Sequence, residues 1–293
     1  MQYFEDVDCP VDVLIPTEDS DAWMWNPKHR WVYDKLAVAL SQGLDAGPHG
    51  VAPPSFPVFS KPIYNLKGMG IGSRVVKSAA GYKSHQKPGH MWMTLLEGEH
   101  VSSDVAIVDG QPRWWRHAKG HASGKGMFDY WHILAEPNEA IETWCGQWCA
   151  RHLAGYTGMA NMETIGGRII ETHLRFADQW PDLYGDGWTD ALVRLYTKRE
   201  WIFDDSRRGP GYSVVLFVPP RPSYRHPSAD SLKTIRRMPG ISSLQITFHE
   251  GLAPRLHAMP PGGFRVAIVN CWDREAGNAA REILRDHFER QIS

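Results

Sequence analysis

A mixed fold of strands and helices in two lobes is predicted, on three observations. Residues 161–179 alternate apolar and polar side chains with period two on both sides of Gly166-Gly167, the pattern of a β-hairpin around a tight turn. Residues 139–153 and 274–290 instead carry apolar side chains at helical spacing. Residues 47–57, rich in proline and glycine, read as a linker between lobes.

Taken in order, residues 11–16 read as a short buried strand feeding a helix that contains residues 31–44. Residues 57–61 form a strand ending on Lys61, and a loop with Gly68, Gly70 and Gly72 leads to a second strand at 74–77. Glycines let backbone amides approach phosphate oxygens, and a lysine beside them supplies a point charge. This is neither a P-loop nor a dinucleotide fingerprint, because Gly-Lys-Ser/Thr is missing and a strand, not a helix, follows. A glycine loop between two strands covers phosphates as a lid does. Residues 91–96 are apolar, 101–108 are a strand turning at Asp109-Gly110, and the basic, glycine-punctuated stretch 114–126 reads as a mobile loop. A helix at 188–200, apolar strands at 211–219 and 264–270, and an amphipathic helix over 274–290 complete the chain.

The hairpin carries the chemistry. With the turn at 166–167, Glu163 and Glu171 fall almost opposite each other, where cross-strand Cβ atoms lie roughly 4.5 to 5.5 Å apart. Two carboxylates so placed repel unless a cation joins them. Mg²⁺ suits such a pair, since it takes one or two carboxylates and fills its octahedron with water and phosphate oxygens. Glu171, His173 and Arg175 then alternate along one face. The plainer reading of the same residues is an exposed polar hairpin, and it is the rest of the chain that favours a site.

The 293 residues, 42% of them hydrophobic, suffice for one large domain or two modest ones. The 32 Lys and Arg against 33 Asp and Glu create no net field to draw nucleic acid or an anionic membrane, so neither is an expected partner. No run approaches the roughly 18 apolar residues of a membrane span, the acidic start lacks the parts of a signal peptide, and the cytoplasm is the expected compartment. Four cysteines are too few for a disulfide framework at this length. Cys145 and Cys149 share an apolar helix face with Trp144 and Trp148, which is core placement. His117 and His121 complete a zinc set only on paper, because Gly120, Gly124 and Gly126 mark a loop; zinc is not expected. Trp114, Trp115, Tyr130 and Trp131 fit either the core or an acceptor pocket.

Four ordered segments resemble a known family. They are Val-Tyr-Asp-Lys ending at Lys35, Phe-Pro-Val-Phe-Ser-Lys-Pro around Lys61 before the glycine loop, Leu-Leu-Glu-Gly-Glu-His-Val-Ser-Ser-Asp from Leu95, and Glu163 with Glu171-Thr-His-Leu-Arg175. Together they resemble the ATP-grasp superfamily, nearest to its biotin carboxylase and carbamoyl-phosphate synthase type. The resemblance implies two α+β lobes clamping ATP, with mixed and antiparallel sheets. Residues 1–49 would be a shortened N-terminal region, 50–92 the small lobe with its phosphate lid, and 93–293 the large lobe.

By position, Lys35 and Lys61 look like the two phosphate-contacting lysines, and residues 65–73, with Lys67, Gly68, Gly70 and Gly72, like the lid. Met93, Thr94 and Leu95 would form the hinge that meets adenine, with Glu97 or His100 near the ribose. Glu163 and Glu171 would hold Mg²⁺, with Mn²⁺ as a substitute. Arg175 would steady the transferring phosphoryl group beside His173. Apart from the resemblance, Lys119 and Lys125 in the glycine-punctuated stretch either add charge on the acceptor side or are solvated loop lysines. The implied activity is an ATP-dependent carboxylate-amine or carboxylate-thiol ligase working through an acyl phosphate on a small acid. The alternatives are a degenerate nucleotide-binding member without turnover and a small-molecule kinase. Two features depart from the family: His173 stands where asparagine is usual, and the N-terminal region is short. The second implies a small substrate, self-association or a partner subunit supplying surface, or lost catalysis.

Overall fold

The computed structural model describes residues 7–66, 70–124, 126–221, 223–257, 260 and 262–291. The chain begins with α1 (Asp19–Trp25), a 3₁₀ turn at Arg30–Tyr33 and α2 (Lys35–Ser41). The strand predicted over 11–16 does not form: the segment pairs with no strand among the described residues, and Val11 and Leu14 are exposed. Without a partner its backbone amides and carbonyls have no ladder to join. The helix predicted over 31–44 is broken at Asp34, which is extended and caps α2 by accepting the Ala37 amide at 2.9 Å. That cap sets Lys35 at the first helical position.

A small antiparallel sheet follows, built from β1 (Ala46–Pro48), β2 (Val58–Pro62), β3 (Arg74–Val76) and β4 (His90–Thr94), with α3 (Ala79–Ser84) between the last two. Its order is β1-β4-β2-β3. β1 lies at the start of the predicted linker, where Gly47 lets the Trp92 indole rest against the backbone; a Cβ there would sit 2.9 Å from the ring. Val58, Val76, Tyr82 and Trp92 form the core of this sheet.

The large sheet comprises β5 (His100–Val108), β6 (Gln111–Gly124), β7 (Met127–Ile133), β8 (Gly158–Ile165), β9 (Arg168–His173), β10 (Gly211–Val218), β11 (Ile241–Ile246) and β12 (Phe264–Cys271). Its order is β11-β12-β10-β7-β6-β5-β8-β9, antiparallel throughout the described pairs. Helices α4 (Glu139–His152), α5 (Trp188–Lys198), α6 (Ala229–Arg236) and α7 (Arg274–Arg290) pack around it. α4 buries Ile141, Cys145, Trp148 and Cys149 against Val105 and Trp115 of one sheet face, so both cysteines are core residues. The stretch read as a mobile loop at 114–126 is instead most of β6, paired on both sides. Gly120 there provides space for rings, not mobility: a Cβ would meet Phe128 and Trp131.

Candidate functional site

The two-residue turn between β8 and β9 takes positive φ at both glycines, 56° at Gly166 and 76° at Gly167. From that turn Ile165 pairs with Arg168 and Thr164 with Ile169, and a register shift then sets Glu163 opposite Glu171. Simple counting would have paired Glu163 with Ile170. The extra residue lifts Glu171 into place and leaves the Ile170 carbonyl off the ladder, as a bulge does. That carbonyl accepts a hydrogen bond from Lys61 Nζ at 2.7 Å. A local irregularity of β9 thus joins the small sheet's lysine to the large sheet's carboxylates.

Around Glu171 the charges interlock. Lys35 Nζ lies 2.9 Å from its Oε1, and His173 Nε2 lies 3.6 Å from its Oε2. Burial pushes the Glu171 carboxyl up, but Lys35, His173 and Lys61 outweigh burial and hold it well below the usual range. Lys61 is itself buried, which lowers its ammonium to about 8 despite Glu171 nearby. Glu163 pairs through Oε2 with His100 Nε2 at 2.9 Å, and His100 packs edge-on against Phe128 and Trp131. His100 offsets the burial of Glu163, whose carboxyl also stays below its ordinary value.

His173 and Arg175 converge on Asp19, a residue without an obvious motif. Asp19 Oδ1 lies 3.0 Å from His173 Nδ1 and 2.9 Å from Arg175 Nε, Oδ2 lies 3.0 Å from Arg175 NH2, and Tyr33 Oη donates to Oδ1 at 3.2 Å. The Tyr33 hydroxyl in turn accepts the Leu174 amide at 3.1 Å. Burial would lower the His173 imidazole, but Asp19 prevails and raises it to about 9. Asp104 anchors the next stretch of chain: buried and raised by that burial to about 6, it accepts from Asn161, Tyr184 and the Ala177 amide.

The His173 shift sets a pH dependence of stability. The folded value of about 9 lies above the unfolded one near 6.5, so the pairing contributes fully below about pH 6.5 and is lost as pH rises through about 9. Denaturation of wild type is expected to lose about 3 kcal/mol more than His173→Gln between those limits. Parallel pH profiles for the two proteins would remove the pairing.

The remaining candidates divide. Thr94 and Glu97 are exposed and Leu95 is half-buried, whereas the Met93 side chain is buried in the small sheet. The chain after β4 abuts the carboxylate turn, because the Gly166 amide donates to the Glu99 carbonyl at 3.1 Å and any Cβ at Gly166 would collide with the Glu97 carbonyl. In the glycine loop, Gly70 and Gly72 have positive φ of 60° and 80°. Lys67, Gly68 and Lys125 lie outside the described residues. The aromatic quartet divides among the core clusters, Trp114 with Trp131 in one, Trp115 in a second and Tyr130 against a third. Trp114 is buried with Tyr184 and Trp188 and donates to Asp205, and Trp115 faces α4; Trp131 alone of the four borders His100. His117 is held between Ser103 and Glu142 on the α4 side of the sheet, and Cys145 and Cys149 of α4 are core residues.

For a divalent ion, the donors at hand are oxygens of Glu163 and Glu171, which suit Mg²⁺. Among the described residues, no three His, Cys, Asp or Glu side chains form a cage. Two carboxylates still fit an ion that takes its other ligands from water and phosphate.

By sequence, no protein-family model and no curated protein matches the chain. Solved structures do match by shape. An L-amino acid ligase from Bacillus licheniformis has a TM-score of 0.60 at 12% identity, covering 91% of this chain and 72% of that one. A carboxyaminoimidazole ribonucleotide synthase from Aspergillus clavatus, complexed with ATP, has a TM-score of 0.60 at 11% identity, covering 89% and 74%. The biotin carboxylase domain of the Hydrogenobacter thermophilus 2-oxoglutarate carboxylase, complexed with MgADP, ADP and bicarbonate, has a TM-score of 0.51 at 15% identity, covering 79% and 57%. By shape, therefore, the chain has the ATP-grasp fold.

Proposed function

We propose that the chain is an ATP-dependent ligase that activates a small carboxylic acid as its acyl phosphate and passes the acyl group to an amine or a thiol. The observation that carries this reading is the charge cluster at the hairpin, where Glu171 faces Glu163 and is approached by Lys35 at 2.9 Å while Lys61 caps the Ile170 carbonyl at 2.7 Å. The neighbours' bound ATP and MgADP support nucleotide and Mg²⁺ as the ligands; Mn²⁺ as a substitute for Mg²⁺ is part of the proposal alone.

In this reading residues 50–92 form the small lobe and 93–293 the large one, after the N-terminal region 1–49. Lys35 and Lys61 contact the phosphates, and residues 65–73 cover them. Residues 93–95 present backbone to adenine, and Glu97 or His100 lies by the ribose. Glu163 and Glu171 would hold Mg²⁺, which would supply positive charge to offset that of the phosphates. The transfer asks the protein for position and charge more than for covalent chemistry. Arg175 and His173 supply positive charge beside the transferring group, and Lys125 on the acceptor side. An oxygen of the acid takes the phosphoryl group and ADP leaves. The nucleophile then attacks the acyl carbon, the new C–N or C–S bond forms, the C–O bond to phosphate breaks, and phosphate departs. No helix among the described residues is long and apolar enough to cross a membrane, and the cytoplasm is the compartment this reading assigns.

A second reading, a nucleotide-binding protein without turnover, draws on the mutual pairing of the cluster's charges, since Arg175 is held by Asp19 and Glu171 by Lys35. The discriminating experiment is ADP release with Mg²⁺ across a panel of amino acids and small carboxylates, each with and without an amine or thiol. The ligase reading expects sustained ADP release only when an acid and a nucleophile are both present, with about one ADP per chain from the acid alone. Continuous ADP release from the acid or another acceptor alone indicates a kinase, and no ADP from any combination leaves the nucleotide-binding reading.

A further inference from the structure

We infer that Asp19 is a positioning residue for the phosphoryl-transfer step, acting through Arg175; the inference rests on the nucleotide reading above. Arg175 carries five N–H groups in a rigid plane. Its Nε and NH2 are spent on the two Asp19 oxygens at 2.9 and 3.0 Å, and NH1 donates to the Phe176 carbonyl at 3.0 Å. One N–H on each terminal nitrogen remains beyond these bonds. A guanidinium pinned along one edge keeps its torsions fixed, so the remaining donors point in one direction.

The geometry around Asp19 is that of a support. Asp19 is 5% exposed, its oxygens receive Arg175, His173 and Tyr33, and Tyr33 Oη takes the amide of Leu174, the residue just before Arg175. Three consecutive residues that follow Thr172 in the chain are therefore tied to one carboxylate, two through their side chains and one through its backbone and Tyr33. His173 also reaches Glu171 at 3.6 Å, which links the same carboxylate to the hairpin. Asp19 itself comes from α1, far from the hairpin in sequence, and packs there with Tyr33 of the following 3₁₀ turn.

A purely structural ion pair and a positioning residue make different demands on the ligand. Arg175 lies beyond His173 from Glu171, so loosening it should leave the ground-state nucleotide little affected and weaken only the complex that resembles phosphoryl transfer. The probes are ADP with Mg²⁺, and ADP with Mg²⁺ and fluoroaluminate, which mimics the transferring group. In Asp19→Asn the affinity for ADP and Mg²⁺ is expected to stay within about twofold of wild type, while the fluoroaluminate complex weakens by about tenfold to a hundredfold. Asp19→Glu, which keeps the charge, is expected to recover part of the loss. Equal fluoroaluminate affinity in Asp19→Asn and wild type overturns the inference and leaves the nucleotide reading intact. So does an equal loss for both probes, which marks a structural role. Wild type that binds neither probe overturns the nucleotide reading and this inference with it.

Discussion

Glu171→Gln is expected to lower ADP formation by on the order of a hundredfold to a thousandfold. The substitution keeps shape and removes a charge that three cations share. In wild type Glu171 sits 2.9 Å from Lys35 and 3.6 Å from His173, and Lys61 contributes to holding its carboxyl far below the ordinary range. In the proposed function, loss of the carboxylate keeps the cluster's lysines but removes one of the two carboxylates assigned to the metal, so phosphate would still be attracted while the metal would be poorly held. Glu163 alone, itself paired with His100, leaves a single carboxylate where the proposed site has two. The check is ADP release with the acid and nucleophile that support wild-type turnover, alongside a melting curve to establish that the fold survives. Turnover within a few-fold of wild type would remove Glu171 from the reaction.

Lys61→Met is expected to weaken ATP binding by about tenfold to a hundredfold, the equivalent of one or two charge-assisted hydrogen bonds. Lys61 is 3% exposed, and its ammonium is lowered to about 8 by that burial, so it remains mostly charged at neutral pH. A buried ammonium with one backbone acceptor, the Ile170 carbonyl, has donors left for an anion. Two opposing terms decide the effect on stability. Removing the ammonium relieves a desolvation cost, and leaving the Ile170 carbonyl unpaired costs about 1 to 3 kcal/mol. The melting temperature should therefore move little while affinity falls. Unchanged ATP affinity in a folded Lys61→Met protein would exclude the lysine from the phosphate site.

Much of this arrangement was legible because glycine and periodicity speak locally. Gly166-Gly167 announces its turn, since positive φ at consecutive residues is costly for anything else, and the amphipathic run of α7 falls where its spacing predicts. The register between Glu163 and Glu171 was only approximately legible, because it depends on the shift beyond Thr164, and a bulge leaves no residue-type signature there. β6 was misread for a related reason. Glycine codes for flexibility and for close approach alike, and Gly120 serves the second, lying under Phe128 and Trp131. The strand expected at 11–16 failed because an apolar run does not by itself supply a pairing partner. Asp19 was invisible: its meaning rests on contacts with His173 and Arg175, 154 and 156 positions away, and the only local hint is an acidic residue at the start of a short helix.

The alternation Glu171, His173, Arg175 shows how a pattern can be local and its consequence not. Period two sets Glu171 and His173 on one face of β9, but the strand ends at His173 and Arg175 lies in the bend beyond it, so which partners meet these side chains depends on how α1 and the 3₁₀ turn lie against β9. Those contacts make His173 a bridge between Asp19 at 3.0 Å and Glu171 at 3.6 Å. An asparagine at that position could not carry the positive charge that Asp19 favours there.

The central claim is that the paired carboxylates and the two lysines form a binding site for a magnesium nucleotide. Equilibrium dialysis of labelled ATP against the purified protein, with and without Mg²⁺, tests it most directly. The account predicts saturable binding of one ATP per chain that requires Mg²⁺ and is lost when Glu163 and Glu171 are both replaced by glutamine. No retained ATP at millimolar nucleotide with Mg²⁺, or retention that the double replacement leaves unchanged, would contradict it.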